Sequence, residues 1–496
     1  LKNQQFLCFF DVKYDIIETE KQNKGEKGML TKNNENQPKV ELVLIENLVK
    51  KDHILRKIDE YIDFNFIYNL VEDKYCLDNG RPSVDPVVLF KIILIGYLFG
   101  IRSERRLIEE IHHNVAYRWF LGYGLEDKIP DASTISQNRR RRFTGTDIFE
   151  KIFDNIVGQA IKHKLITGKV MYVDSTHIKA NANIGKFTNE QVEVALPEYV
   201  DELENAVTEA REAHGQKELK KKQKTVEVKN RKVSTTDSDS GYMFRDRKPK
   251  GFFYLNHMAV DGENNLIASV LPTTAAINDA VPFLGIVEKL KERYNVKYVG
   301  ADAGYYTTAI AKGLKELGIT ASIAKRLGPK PKGKMSKLNF VYIEERDIYV
   351  CPQDHSLNYK TTTREGYKEY RSQNNICKEC PIREKCIYDK QTARTIRRHV
   401  WQEYLTEIDR FKEKTELGAR IYKRRKETIE RAFADLKELH GFRYARFRGI
   451  EKMKEQCLIT AAAYNIKKIA TILGIYLRNF IYYCWNFNVF SYSNTF

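Results

Sequence analysis

Residues 169–176 read KVMYVDST, and the pattern of the chain changes there. Upstream, apolar residues recur at the three- and four-residue spacing of helices. From Lys169 a β-branched and aromatic run takes over and ends on the carboxylate of Asp174, which reads as a strand. Strand-like segments resume at GFFYLNHMAVD (251–261) and NLIASVLPTT (265–274), a hairpin whose turn is marked by Gly262, Asn264 and Asn265. Next come a helix over 281–293, the strand KYVGAD (297–302), a helix over 307–317 and the strand ITASIAK (319–325). Three strands followed by alternating helices and strands predict an α/β fold, a mixed sheet with flanking helices.

The segment before this sheet predicts an all-α domain. Helical spacing runs over 41–70, a largely apolar helix starts after Pro86, and a further helix is expected from Ser103 to Leu121. After the break LGYGLEDKIPD comes DASTISQNRRRRF (131–143), where Asp131 or Ser133 can cap a helix that offers Thr134, Ser136, Gln137, Asn138 and Arg139. A helix, a turn and a second helix with polar, arginine-rich residues near its start fit an element that enters a DNA groove. An ordinary solvated basic helix explains the same residues. Residues 1–28 have no period and read as a non-core extension ahead of Met29, so the helical, DNA-binding domain is placed at 29–165.

Lys plus Arg number 84 against 66 Asp plus Glu, a formal charge of +18 that favours a polyanionic partner, with nucleic acid as the first candidate. The basic residues are spread along the chain and are not gathered beside an apolar anchor, which argues against a membrane. Eight cysteines are few for 496 residues, and four of them share one segment, so a secreted disulfide framework is excluded and a reducing cytoplasm is expected. The run from Val87 to Ile101 contains Lys91 and is too short to span a bilayer. The stretch 469–490 is interrupted by Arg478, Asn479 and Asn486, and is not expected to span one either.

Asp174 and Asp302 each stand at the end of a strand, and Asp302 is followed by the turn Ala303, Gly304, Tyr305. In open sheets the crevice beyond the carboxyl ends of the strands is where ligands bind, so the two carboxylates can converge. Glu430 lies on a helix within KETIERAFADLK, where Ile429, Phe433 and Leu436 form a stripe suited to packing on the sheet. Three carboxylates suit two Mg²⁺ (or Mn²⁺) ions acting on a phosphodiester, because water and phosphate complete the coordination shells. Taken singly, an acid at a strand end is more often a turn or capping residue.

The phrases VDSTHIKANA (173–182), ADAGYYT (301–307) and IERAFADLKELHGFRYARFRG (429–449) resemble the three catalytic blocks of DDE insertion-sequence transposases. GRPSVDPVVLFKIILIGYLFGIRSERRL (80–107) resembles the helical domain that precedes them, and together the match covers about 29–473. The resemblance implies an RNase H-like catalytic domain at 166–470, with Asp174, Asp302 and Glu430 as metal ligands and catalytic residues. It implies cleavage and strand transfer at the ends of an insertion sequence, with double-stranded DNA as partner and a homodimer joining two ends at the nucleoid. It also places Lys437 on a phosphate, Lys426 at a basic position before the glutamate, and Tyr422 one residue farther from the glutamate than in the commonest spacing. Arg443, Arg446 and Arg448 would extend a basic track, and Lys179 is a further phosphate candidate. His177 reads as a structural hydrogen-bonding group. The rival reading is a DNA-binding protein without catalysis, either a regulator or an inactivated transposase.

Two insertions are expected. A charged one over 187–240 contains Leu196, Val200, Leu203 and Val207 and reads as a helical hairpin. A Cys-rich one over 340–395 holds Cys351, Cys377, Cys380 and Cys386, whose Cys-x-x-Cys pair has the spacing of a structural Zn²⁺ knuckle. Reduced structural thiols are the alternative, and a tail over 471–496 completes the chain.

Overall fold

A computed structural model describes residues 43–76, 83–194, 199–220, 227–244, 250–326, 333–388 and 391–492, with side chains described for all but 193–194, 227 and 480–492. The extension over 1–28 lies outside the described residues.

Helices dominate up to Lys162. Pro86–Leu98 starts with proline at a position whose N–H needs no partner, and the Asp85 carboxylate accepts from the Val87 and Val88 amides at 2.7 and 3.2 Å. This helix is apolar except for Lys91, which pairs with Asp59 at 2.7 Å, and its residues from Ile92 to Leu98 are buried, so it is the core of the helical region. The helix expected over 103–121 is two, Glu104–His113 and Val115–Leu121. Asn114 divides them because its side-chain oxygen accepts from the Ala116 and Tyr117 amides and starts a new helix.

The main sheet has six strands. The central one, Val170–Lys179, pairs antiparallel with Gly251–Asp261 on one side and parallel with Tyr298–Ala301 on the other. Thr320–Ile323 continues the parallel side, while Gly241–Met243 and Ile267–Thr274 pair with successive parts of Gly251–Asp261. The mixed sheet expected from the element order is therefore present. Side chains alternate between its faces. Met171, Val173, Val299 and Ala301 pack with the helices Phe283–Arg293 and Thr308–Glu316, whereas Tyr172 and Tyr254 join the core of the helical region.

The charged insertion differs from the expected helical hairpin. Phe187–Val194 and Glu227–Ser234 form an antiparallel ribbon, and among the described residues one helix, Val200–Glu212, lies between them in sequence, Leu196 being outside the described residues. The Cys-rich segment belongs to a separate five-stranded antiparallel meander, running from Val341–Ile343 to Thr395–His399, with its own small core around Leu357 and Tyr370.

The last helix, Ile450–Tyr492, ties the molecule together. Its segment from Cys457 to Ile466 is wholly buried and packs on Ile148–Lys162, Pro86–Leu98 and the strand Ile267–Thr274. By length and composition Ile450–Asn479 could cross a membrane, and it is the one such helix among the described residues; here its buried half serves as core. Asn465, fully buried, accepts from the Ile267 amide at 2.9 Å and donates to the Ile267 carbonyl at 2.8 Å, closing the strand edge as another strand would. Asn465→Leu strands both backbone groups. A loss of about 2 kcal/mol in urea unfolding is expected, and unchanged stability would show that the edge finds another partner.

Candidate active site

The parallel ladder pairs Val170 with Tyr298, Met171 with Val299 and Tyr172 with Gly300. Asp174 and Asp302 each follow the last pair of this ladder by two residues, and the charge of Asp302 acts on Asp174, so the two carboxylates are near one another. By alternation Tyr172 and Asp174 share a face with Gly300 and Asp302. Glycine at 300 is required there: a Cβ would stand 2.7 Å from the Tyr172 ring and 3.3 Å from Ile421. Asp174 does not end its strand as the sequence suggested, because Ser175 to Lys179 go on pairing with the segment from Phe253 to His257. Asp302 stands one residue past its own strand, at the start of the 3₁₀ turn Ala303–Tyr305, where its carboxylate accepts from the Gly304 amide at 2.7 Å.

Glu430 is the second residue of the helix Ile429–Leu439, where the positive end of the helix dipole favours its charge. It is joined to Asp174 by Arg425, which the sequence reading does not single out. The Arg425 guanidinium donates to Asp174 Oδ2 at 2.7 Å and to Glu430 Oε1 at 2.6 Å, with its side chain only 12% exposed. The resemblance places the basic residue at Lys426, which is exposed. Regular helical spacing fails here because Arg425–Glu427 is a tight 3₁₀ turn and Thr428 bends the chain before the next helix begins.

Burial, and then the charge of Asp302, push the Asp174 carboxyl up to about 6, against the opposing pull of the Ser175 amide and Arg425. Tyr305 is buried nearby, its phenol raised by burial and by the charges of Asp174, Asp279 and Asp302. Asp279 is thus a further acid near the site, and Tyr305 lies within the phrase GYYT. Asn256, 1% exposed on the strand next to Asp174, has no hydrogen-bond partner for either amide atom. A carboxyl whose folded value exceeds its unfolded one contributes stability while protonated and loses it on ionising. The metal-free protein is therefore expected to lose stability between about pH 4 and about pH 6, and Asp174→Asn to flatten that segment of a melting-temperature profile. A profile unchanged by the substitution would place the titration elsewhere.

The donor chemistry fits a divalent cation: two nearby aspartates, one of them half-buried and partly neutralised by a guanidinium. The three acids are not drawn together, since Arg425 stands between Asp174 and Glu430. Among the described residues no group of three or more His, Cys, Asp or Glu is arranged to hold an ion. The same holds for the cysteines. Cys377 and Cys386 are buried and Cys351 and Cys380 half-buried, all as free thiols. Burial raises the Cys386 thiol against the opposing pull of Arg394, and Cys377 and Cys386 share the small core of the meander with Cys351 packed against it.

The residues expected to touch DNA divide into two sets. Gln137 is exposed and Thr134 half-buried on the helix Ala132–Asn138. Asn138 donates to the Thr134 carbonyl at 2.8 Å, and Asp131 stands at the N-cap without a side-chain bond. Lys179, Arg443 and Arg448 are exposed, and Lys437 is half-buried on the glutamate helix. The Arg443 carbonyl accepts from the Lys179 amide at 3.0 Å, while the Arg443 guanidinium pairs with Glu438. Arg448 donates to the Asn181 carbonyl at 2.9 Å. Arg139 and Arg446 are turned inward. Arg139, 8% exposed, pairs with Glu104 at 2.6 Å and lies over the Phe447 ring, while Arg446 lies 3.7 Å over Tyr97 and donates to the Gly96 carbonyl. These two join the helical region to the segment after Glu430 by cation–π packing, so they are not part of a solvent-facing track.

Two family models match the chain, one described as Transposase domain (DUF772) over residues 43–141 and one as Transposase DDE domain over 350–470. No curated protein matches. Among solved structures, the chain is similar to a piggyBac transposase synaptic complex with hairpin DNA at 10% identity, covering 84% of this chain and 79% of that one, with a TM-score of 0.26. It is also similar to a Mos1 transposase paired-end complex with left transposon end, at 10% identity over 50% of this chain and 62% of that one, with a TM-score of 0.15. Likeness at this level carries no argument about the fold.

Proposed function

We propose, for a chain that carries two transposase family domains, that it is a DDE-type DNA transposase with an RNase H-like catalytic sheet, cleaving and rejoining DNA at the ends of its own insertion sequence. The observation that carries this reading is the pairing of the strands that lead to Asp174 and Asp302, with Glu430 tied to Asp174 through one guanidinium. Asp174, Asp302 and Glu430 are the residues that would hold Mg²⁺ or Mn²⁺. Such ions, when bound, activate the attacking oxygen and stabilise the leaving one.

The chain's own groups do the rest. The central strand fixes Asp174 on a rigid sheet, and Asp302 follows directly on the neighbouring strand, held by the bond from the Gly304 amide. Arg425 offsets the repulsion between Asp174 and Glu430 until a cation takes over. The exposed Lys179 and Arg448, with Lys437 on the glutamate helix, supply donors for backbone phosphates around the cut. The helical region to residue 165, with Gln137 and Thr134 on an accessible helix, would hold the element end. Joining two ends calls for two copies of the chain. The free thiols of Cys351, Cys377, Cys380 and Cys386 would have to draw closer to hold a structural Zn²⁺, and no chemical step depends on one.

The test is incubation with Mn²⁺ and labelled DNA carrying the gene's own flanks. Breaks at defined ends and joined products support the reading. Breaks without joining make the protein a nuclease, and tight binding without breaks makes it a non-catalytic binder.

A further inference from the structure

Beyond the carboxylates, the same face of the sheet opens into a cleft of about 600 Å³. It lies over the start of the central strand, between the turn at Gly262 and the helix Glu416–Arg424, and its size is that of a ligand site. Lys169, Arg420 and Arg424 line it against the single acid Glu263, and Tyr172 and Tyr298 contribute phenol rings.

The charge balance of this cleft differs from that of the carboxylate site beside it. Arg425 is committed to two carboxylates, but Lys169, Arg420 and Arg424 are exposed and form no ion pair among the described residues. Arg424 donates to the Glu263 backbone carbonyl at 3.1 Å, a bond that fixes its direction without cancelling its charge. Arg420 and Arg424 stand one helical turn apart, so both reach the same side of the helix. Three cations gathered in one recess repel one another unless an anion enters. Several cations in a groove with aromatic rings fit a run of phosphates better than a single carboxylate.

Position supplies the identity of that anion. Val170 and Tyr172 line the cleft, and Asp174 follows on the same face of the same strand. Four residues of strand span roughly 13 Å, and a DNA strand advances about 3.4 Å per nucleotide, so the cleft stands roughly four nucleotides from the carboxylates. We propose that Lys169, Arg420 and Arg424 form a phosphodiester-binding site that holds the DNA backbone a few nucleotides from the phosphate to be cut. This rests on the transposase reading and extends it to a site outside the carboxylates.

The experiment measures binding of a labelled duplex by fluorescence anisotropy across salt concentrations. The wild-type chain is compared with Arg420→Ala, with Lys169→Ala/Arg420→Ala/Arg424→Ala, and with Lys289→Ala as control. Lys289 is exposed on a helix that packs on the opposite face of the sheet. Each phosphate contact adds about 0.9 to the slope of log affinity against log salt. The triple variant is expected to bind with a slope shallower by about 2 to 3, Arg420→Ala by about 1, and Lys289→Ala with none of this change. Arg420 makes no hydrogen bond or ion pair among the described residues, so the single variant tests the site even where the triple variant unfolds. An unchanged slope in folded Arg420→Ala overturns the proposal while leaving the transposase reading in place. So does an unchanged slope with cleft occupancy that inorganic phosphate alone accounts for, since that makes it a site for a free anion. A wild-type chain with no affinity for DNA overturns both.

Discussion

Asp302→Asn is expected to lower DNA strand cleavage by at least about a thousandfold while DNA affinity stays within a factor of two or three. The magnitude follows from what one carboxylate does for a bound cation: losing a ligand costs the charge stabilisation of both the attacking and the leaving oxygen. Asparagine keeps the shape and can still accept from the Gly304 amide, so the turn that ends the strand survives. The substitution also removes the charge that helps raise Asp174. The Asp174 carboxyl should therefore titrate lower in Asp302→Asn, which carboxyl-resolved NMR can read without any activity. Cleavage that persists at a tenth of the wild-type rate would take Asp302 out of the chemistry.

Arg425→Ala should produce the second large effect, on stability. The guanidinium and the Asp174 carboxylate are 12% and 16% exposed, so removing one leaves the other charge buried without its partner. Breaking such a pair costs about 3 kcal/mol or more. The loss should be largest in EDTA and should shrink when Mn²⁺ is added, because a cation between the acids replaces the missing charge. The wild-type chain should gain less from Mn²⁺, since Arg425 already stands there. Urea unfolding of both proteins with and without Mn²⁺ gives four values. Equal Mn²⁺ stabilisation of the two would sever the link between Arg425 and the metal.

The strands were legible because their interiors are continuous apolar runs bounded by acids and turns. Asp174 was visible as a strand residue and Asp302 as the end of a strand-like run, although only the pairing of the two strands shows that they come near one another. The full length of the central strand was hidden because Ser175 to Lys179 alternate weakly, Thr176 and Ile178 being the inward pair. The ribbon of the charged insertion escaped notice for a related reason. Its strands carry few apolar residues and stay largely exposed, so no period of two marks them. Arginines resisted reading most. Arg139 and Arg446 look like Arg443 and Arg448 in the sequence, and what separates them is the aromatic rings of Phe447 and Tyr97, brought in from distant segments. Arg425 was displaced by one residue from its expected place by a turn that no local propensity announces.

The helix Ile450–Tyr492 also sets a schedule. Leu55, Ile92 and Ile156, from the helical region, share one core with Ile466 and Ala470. About 400 residues separate the first helices from that partner, and a ribosome adding about 5 to 20 residues per second needs roughly 20 to 80 s to make them. Throughout that interval the early helices have apolar faces with no native cover, and the edge of the strand at Ile267 waits for Asn465. The nascent chain is therefore a long-lived client for chaperones. Its yield in a cell should depend on them more than the stability of the finished protein would suggest.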